Sequence, residues 1–451
     1  MLFTRRDLTA LIIPLIIEQL LAITIGMADT MMVASVGEAA VSAVSLVDSI
    51  NILLINIFSA LATGGAVIAS QYLGRNDEGT ACLAAKQLTY VVTALSGLFM
   101  LFSIVFRTSL LRLLFGAIDE EVMEGAKIYF LLSAISYPFL GLYNAGAALF
   151  RAMGNSKVSM LTSILMNGLN IIGNAILIFV FHMGVTGAAT ATLASRIIGA
   201  VLMGVLICNK KNPIHIDAIF KYRPDFTLVK NILRIGIPNG LENGMFQLGR
   251  LLVQSLIASF GTAAIAANAV GNNLTSMQTL PGTAIGLAII TVVGRCIGAK
   301  SKEQAKRYTV MLMALTHICV LITSLTIAAL AKPLISLYGL SGETSNIAFE
   351  LIMLYSVTCV IFWPPSFALP NSFRAASDAR YPMIISIISM WTCRIGLSYV
   401  FGGWMGMGVL GVWIAMVCDW IFRGIFFVVR YFRGKWLTKY QEDRLSSSAE
   451  A

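Results

Sequence analysis

The chain has 451 residues, of which 57% are hydrophobic and only 12% charged, and its formal net charge is +10. Because a soluble domain carries roughly 25% charged residues, this composition excludes a chain whose outer surface faces water along most of its length. The positive charge is concentrated in particular connections between apolar segments, so it indicates membrane topology and not a nucleic-acid partner.

Twelve apolar segments long enough to cross a membrane follow one another along the chain. A bilayer core of about 30 Å requires roughly 20 helical residues, and lipid satisfies no backbone polar group. We therefore predict an all-α integral membrane protein with twelve transmembrane helices. The first six lie at 10–35, 44–70, 87–110, 127–150, 158–181 and 184–208, and the second six at 229–258, 262–293, 308–331, 347–372, 381–401 and 407–429.

A polar stretch at 209–228, which contains Pro213 and Pro224, separates the two sets of helices. We predict that it is a cytoplasmic linker between an N-terminal six-helix lobe at 1–208 and a C-terminal six-helix lobe at 229–432. A cytoplasmic tail follows at 433–451. The even-numbered connections and both ends hold most of the Lys and Arg, including Lys221 and Arg223 in the linker. By the positive-inside rule, both termini lie in the cytoplasm.

The seven cysteines are scattered through apolar segments and their cytoplasmic ends, and no two of them form a CxxC pair. This spacing indicates neither a disulfide framework nor a metal site. We expect no metal and no cofactor.

The second half of the chain repeats the first at an offset of about 224 residues. The clearest matches pair Pro14 and Glu18 with Pro238 and Glu242, and Phe150-Arg151-Ala152 with Phe373-Arg374-Ala375. Six helices in each half is an even number, so we expect both halves to have the same orientation in the membrane. Parallel pseudo-symmetric repeats of this kind are typical of secondary transporters, which work by alternating access.

Three motifs connect the chain to a known family. They are Gly26-Met27-Ala28-Asp29-Thr30-Met31-Met32-Val33, Ala69-Ser70-Gln71-Tyr72-Leu73-Gly74 and Leu149-Phe150-Arg151-Ala152-Met153-Gly154. Together with the duplication, they resemble the multidrug and toxic compound extrusion (MATE) transporters over residues 8–435. The resemblance implies a V-shaped pair of lobes in a bacterial plasma membrane. It also implies a monomer that exports small cationic or lipophilic organic compounds in exchange for protons or sodium, and no enzymatic activity.

The acidic residues suggest a branch of this family. NorM-like members carry acids at the positions of Phe246 and Trp363, so the resemblance does not support a sodium site in the second lobe. DinF-like members carry the coupling acid at the position of Asp29, and some add a second acid where this chain has Asn174. The pattern favours the DinF-like, proton-coupled side, and sodium stays an alternative.

Asp29 is the predicted coupling residue. A charge near the bilayer centre costs roughly 2.5–3.5 kcal/mol, so an acid there requires a reason. We predict that Asp29 binds the coupling proton and the substrate, and that Asp48 lines the same cleft; a position at headgroup level is the alternative. Asn167, Asn170 and Asn174 share one face of the fifth helix and would either join Asp29 or hydrogen-bond between helices.

Two proline–glutamate pairs occupy equivalent positions in the halves. Proline frees the carbonyl four residues earlier and often kinks a helix. We predict a structural or gating role for Pro14, Glu18 and Pro238. Glu242 is in addition a candidate for substrate or ion binding, because Arg250 lies two turns later on roughly the same face.

The remaining membrane charges have a simpler interpretation. The simpler interpretation is that they are packing ion pairs or interface anchors: Arg196, Arg394, Asp419 and Arg423, the last two at the spacing of a local pair. Two other functions stay open. A flippase for lipid-linked oligosaccharides or polysaccharides would need a more cationic cleft, for which Arg250 and Arg394 are candidates. A membrane-embedded transferase is more distant, because the sequence lacks clustered interfacial carboxylates.

Overall fold

The computed structural model describes residues 2–116, 119–217 and 224–437, apart from the side chains of Ile25 and Met27, and these ranges contain helices and turns but no strand. Lys221 and Arg223 of the predicted linker lie outside the described residues, as does the predicted tail beyond Leu437. The prediction of an all-α protein is confirmed.

Fifteen α-helices follow one another in the described ranges. The first seven are α1 Arg5–Ala34, α2 Glu38–Gly74, α3 Glu78–Val105, α4 Arg107–Phe115, α5 Glu120–Ala152, α6 Ser156–Asn174 and α7 Gly184–Ile207. The others are α8 Phe226–Ala258, α9 Thr262–Gly298, α10 Lys302–Ala329, α11 Ala331–Ser336, α12 Gly342–Trp363, α13 Pro370–Ala375, α14 Arg380–Ser389 and α15 Gly408–Phe432.

Eleven helical segments of the described chain are long and apolar enough to cross a membrane. Three of them include π-helical turns. Ala175–Val180 extends α6, Pro364–Ala368 connects α12 to α13, and Met390–Gly396 and Tyr399–Trp404 extend α14. The twelfth predicted segment is the continuous helix α8, which is not among the eleven and carries four charged residues. These are Lys230, Arg234, Glu242 and Arg250.

The backbone itself repeats with the predicted offset. Left-handed residues recur 223 or 224 positions apart, and they end or start equivalent helices. The pairs are Gly37 with Gly261, Asn76 with Lys300, Gly116 with Gly339, Gly154 with Ser377, His182 with Gly406, and Gly184 with Gly408. Because a positive φ is costly for most residues, six such pairs indicate a duplicated architecture and not merely similar composition.

Side-chain hydrogen bonds cap the starts of α1 and α3. Thr4 and Asp7 form a reciprocal capping box at the start of α1. Asp77 caps α3 by accepting a hydrogen bond from the Thr80 backbone N–H at 3.0 Å. Bonds from the Thr80 backbone and side chain favour the ionised carboxylate, so they lower the pKa of Asp77. The same side chain therefore ends the turn after α2 and starts the next helix.

The chain divides into two compact units, the first from Phe3 to Gly240 and the second from Leu241 onwards. In the first, α5 packs against α2, α3 and α7, and α6 packs against α1 and α7. In the second, α9 packs against α10 and α12, and α15 packs against α12. The helices α2 and α9 are equivalent in the repeat and are the most enclosed, with 61% and 83% of their most apolar stretches buried.

Candidate functional site

The predicted coupling acid lies in a polar cluster inside the first unit. Asp29 on α1 is partly buried, and its Oδ1 accepts a hydrogen bond from Asn174 Nδ2 at 2.7 Å. Asn174 is itself 1% exposed and is the last residue of α6 before the π-helical turn. Since π-helical turns frequently occur at functional sites, the position of Asn174 fits a side chain aimed at a specific partner.

Asn170 lies one turn earlier on the same face of α6. With its amide turned so that the NH2 group faces Asp29, Asn170 donates to Oδ1 at 2.7 Å and to Oδ2 at 3.0 Å. In the same orientation its oxygen accepts from Thr192 Oγ1 at 3.1 Å. This orientation satisfies both ends of the amide, whereas the reverse one points an oxygen at the carboxylate. Two buried amides on α6 thus hold the Asp29 carboxylate.

Asp48 on α2 belongs to the same cluster. Its Oδ1 accepts hydrogen bonds from Asn51 Nδ2 at 3.1 Å and from the Tyr129 hydroxyl at 3.4 Å. Asn51 Oδ1 in turn accepts from the Tyr137 hydroxyl at 3.0 Å. Asp48 also lies close enough to Asp29 for the two charges to interact. The structure therefore brings the two acids into one polar cluster, while their role stays a prediction.

Arg196 on α7 supplies the positive charge of this cluster, which we call the first-unit acidic site: Asp29, Asp48 and Arg196 with the amides of α6. Arg196 interacts electrostatically with both acids, and its Nη1 donates to Ser136 Oγ at 2.6 Å. Two carboxylates thus face one guanidinium. With both acids ionised these three groups carry a net charge of −1, which one proton or one monovalent cation would balance.

Arg196, predicted to be a packing charge, thus belongs to the acidic site, and Thr192 is a member that the sequence pattern did not indicate. These two residues are four positions apart on α7, so a shared helix face was the available signal. The third asparagine of the predicted stripe behaves differently, because Asn167 Nδ2 donates to Ser163 Oγ at 3.1 Å within its own helix. Asn170 and Asn174 therefore bind the acid, whereas Asn167 binds Ser163.

The two repeated glutamates are ion-paired. Glu242 Oε2 lies 2.6 Å from Arg374 Nη2, and its Oε1 accepts from Ser386 Oγ at 2.8 Å. In the first unit, Glu18 lies 3.5 Å from Arg151. The predicted interaction of Glu242 with Arg250 is therefore wrong. The carboxylate is paired instead with the guanidinium of Arg374, which lies on a different helix.

Pro14 and Pro238 both lie inside continuous helices. Proline lacks an N–H, so Pro14 leaves the Ala10 carbonyl without its helical donor. Ser156 at the start of α6 lies beside this gap: its Oγ donates to the Leu11 carbonyl at 2.6 Å and is 3.4 Å from the Ala10 carbonyl. The proline of α1 is thus coupled to the helix that carries Asn170 and Asn174.

A separate cavity of about 670 Å³ lies elsewhere in the first unit. It is lined by α3, α5, α7 and the start of α8, including Tyr90, Gly146, Met203 and Phe226. None of the predicted site residues lines it. The first-unit acidic site is consequently defined by its charges and hydrogen bonds and not by this cavity. Within the described ranges, no three His, Cys, Asp or Glu side chains come together as a metal site.

Sequence comparison finds the family model MatE at residues 14–176 and again at 238–400, two matches with the repeat offset. The uncharacterized transporter YisQ of Bacillus subtilis is 30% identical over 435 residues, covering 94% of both chains. The probable multidrug resistance protein NorM of Thermotoga maritima is 27% identical over 453 residues, covering 96% of this chain and 93% of that protein. These relatives do not favour a flippase or a transferase.

Solved structures share the fold over nearly the whole chain. An outward-facing multidrug resistance MATE family transporter of the MOP superfamily superposes with a TM-score of 0.89 at 21% identity and covers 96% of both chains. A MATE crystal structure in the bent conformation superposes with a TM-score of 0.88 at 20% identity, covering 97% of this chain and 96% of the other. From the two family matches, the full-length relatives and this fold, the chain belongs to the MATE family and is a multi-pass membrane transporter, not an enzyme.

Proposed function

We propose that this chain exports cationic or lipophilic organic compounds by proton antiport, with Asp29 as the carboxylate for which proton and substrate compete. The observation that carries the proposal is the first-unit acidic site, in which two carboxylates face a single guanidinium. Multidrug resistance is named for several relatives, and the DinF-like position of the acid supports proton rather than sodium coupling. We further propose a monomer in a bacterial plasma membrane with both termini in the cytoplasm.

Arg196 determines how many charges the site can take. It offsets one of the two carboxylates, so the site as a whole carries one unbalanced negative charge when both acids are ionised. A substrate cation can balance that charge, and so can a proton on Asp29. A ligand shifts a conformational equilibrium only through different affinities for its two states. Competition for one carboxylate therefore couples proton entry to substrate release.

Asn174 offers a way to accommodate the proton. Its Nδ2 donates to the ionised Asp29, while its buried Oδ1 has no hydrogen-bond partner among the described residues. When Asp29 carries a proton, its O–H needs an acceptor, and a half-turn of the Asn174 amide would present Oδ1 to it. An amide can serve both states because it carries donor and acceptor on one group. The carboxylate thus stays hydrogen-bonded throughout the cycle.

The stoichiometry decides which gradient drives export. One proton exchanged for one monovalent cation moves no net charge, so the membrane potential contributes nothing. The pH gradient alone then supplies about 1.36 kcal/mol per pH unit. A neutral substrate would also draw on the potential, at about 2.3 kcal/mol per charge for each 100 mV.

The proposal is tested with purified protein in proteoliposomes loaded with a cationic dye such as rhodamine 6G. We expect an imposed pH gradient to drive dye transport and a sodium gradient of the same size to have no effect. Asp29→Asn should reduce proton-driven transport by at least about tenfold, because the amide neither titrates nor balances a cation. Glu121→Gln is the matched control, since Glu121 is an exposed acid of the same unit.

Two results would contradict the proposal. Transport by Asp29→Asn at the rate of the unchanged protein would remove Asp29 from the coupling step. Transport that follows a sodium gradient and ignores the pH gradient would reject the proton as coupling ion, whatever the variant does.

A further inference from the structure

The second unit contains a group of charges whose balance is opposite to that of the first-unit acidic site. Asp419 on α15 is fully buried, and its Oδ1 accepts from Arg423 Nε at 3.0 Å and from Ser389 Oγ at 2.5 Å. Arg394 Nη1 lies 3.7 Å from the other carboxylate oxygen. The predicted local pair of Asp419 and Arg423 is therefore present, but a second arginine shares the same carboxylate.

A third arginine lies at the edge of this group. Arg250 follows Phe246 by four residues on α8, so the two side chains share a helix face. The Phe246 ring centroid is 5.2 Å from the guanidinium carbon of Arg394 and 5.3 Å from that of Arg423. Arg250 is exposed and interacts electrostatically with Arg394. Two guanidinium groups thus contact one carboxylate and a third interacts with Arg394; we call this group the arginine cluster: Arg250, Arg394 and Arg423 with Asp419.

Several donors of the arginine cluster are unused. Arg423 is 2% exposed, and its Nη2 has no hydrogen-bond partner among the described residues; the same holds for Nε of Arg394. Leaving a buried charged donor unsatisfied is costly, and such groups are normally paired with an anion or water. Asp419 cannot neutralise more than one of the arginines. Asp419 Oδ2 also lacks a hydrogen-bond partner among the described residues, so the cluster is short of negative charge but not of acceptor atoms.

Aromatic rings flank the unused donors. The Phe367 ring centroid lies 5.2 Å from the guanidinium carbon of Arg423, and Phe367 stacks on Trp363 with centroids 5.3 Å apart. Phe367 and Arg394 both lie on π-helical turns, which re-aim side chains relative to a regular helix. Ligand sites typically combine such apolar rings with a few convergent polar groups.

We infer that the arginine cluster binds the carboxylate of an aromatic organic compound, with the guanidinium groups holding its oxygens and the rings of Phe246 and Phe367 contacting its apolar part. Guanidinium groups match the two oxygens of a carboxylate, and charge-assisted bonds of this type are the strong ones. The inference rests on the proposed function only in treating the bound compound as cargo. It extends that cargo from cations to zwitterions and organic anions.

The test uses two dyes that differ in one charge, rhodamine B with its free carboxylate and rhodamine B ethyl ester. Equilibrium binding to the full chain in phosphatidylcholine nanodiscs is measured by fluorescence anisotropy. We expect Arg250→Gln and Arg394→Gln each to weaken rhodamine B binding by about tenfold, because each removes one charge-assisted contact. Binding of the ester should change less than about twofold, and Arg380→Gln, an exposed arginine of the same unit, should leave both dyes unaffected.

Three outcomes would overturn the inference. Equal weakening of both dyes would mark a structural role, and unchanged rhodamine B binding in both arginine variants would show that these arginines do not hold its carboxylate. Failure of benzoate at saturating concentration to displace rhodamine B would show that the dye's carboxylate is not bound at a carboxylate site. The assay uses no gradient, so it is independent of proton coupling. The Asp29→Asn variant separates the two proposals. If it loses coupled transport but still binds rhodamine B in a way that depends on the arginines, carboxylate binding by the cluster is supported independently of the antiport step.

Discussion

At the scale of single residues, one position distinguishes this chain from the DinF-like members that carry a second acid. Here that position is Asn174, which donates to Asp29 at 2.7 Å. An amide holds the carboxylate but releases no proton of its own. Our proposal assigns the exchanged proton to Asp29 alone, so one proton moves in each cycle.

Asn174→Asp should make export of a monovalent cation sensitive to voltage. A second carboxyl group beside Asp29 would exchange a second proton, so each cycle would move one net charge, worth about 2.3 kcal/mol per 100 mV. Rhodamine 6G transport into proteoliposomes with a potassium diffusion potential and no pH gradient measures this. Asn167→Asp is the control, because Asn167 binds Ser163 one turn away. Voltage-driven transport by the unchanged protein would argue against one-for-one exchange.

At the scale of the helical element, α1 contacts α6 through hydrogen bonds near both of its ends. Pro14 removes one donor, and Ser156 of α6 supplies a hydroxyl to the carbonyls nearby. Asp29 at the other end of α1 is held by the same helix α6 through Asn174. A change in the bend of α1 would therefore alter the distance between Asp29 and its amide partners.

Pro14→Ala should slow transport while leaving substrate binding nearly intact. Alanine restores the N–H that the Ala10 carbonyl lacks and removes the tendency of the helix to kink. In a helix interior, proline is about 3 kcal/mol less favourable than alanine. We expect turnover to fall severalfold and the affinity for rhodamine 6G, measured by anisotropy, to stay within about threefold. Ile13→Ala, at a 50% exposed neighbouring position, is the control. An equal loss of binding and turnover would indicate that Pro14 only stabilises the fold.

At the scale of the whole molecule, the repeat accounts for two ion pairs that the proposed antiport does not use. Glu18 with Arg151 and Glu242 with Arg374 are equivalent pairs, one in each unit. Each glutamate follows a repeated proline, and each arginine belongs to the repeated Phe-Arg-Ala motif. Duplication of both partners indicates that the pairs hold equivalent helices together, which supports the predicted structural role of Glu18.

The pair in the second unit provides a test between structure and ligand binding. Glu242→Gln should lower the apparent melting temperature in detergent, because an unpaired buried charge costs about 3–5 kcal/mol. Adding Arg374→Met should restore most of the stability and the transport rate. The same two changes at Glu18 and Arg151 should have smaller effects, since that pair is 3.5 Å apart. If the double variant regains stability but not transport, Glu242 takes part in substrate or ion binding.

Local sequence patterns were sufficient to predict much of the helical architecture. The lengths of the apolar segments predicted the membrane helices, because a bilayer imposes a fixed length and excludes unpaired backbone groups. The offset of 224 predicted the duplicated turns, because left-handed residues tolerate few side chains and are kept in register. Even Asp29 with its asparagine face followed from spacing and resemblance, since helix periodicity places Asn170 and Asn174 together.

Only the tertiary structure decided which helices bring their charges together. Glu242 and Arg250 share a helix, but Arg374 from another helix takes the carboxylate. Arg196 joins the two acids, and Asp419 receives two arginines instead of one. Periodicity assigns a residue to a face and says nothing about which helix that face meets, so electrostatic partners more than a turn apart depend on packing. The sequence alone thus determined a duplicated membrane transporter, while the packing of its helices decided which charged side chains pair.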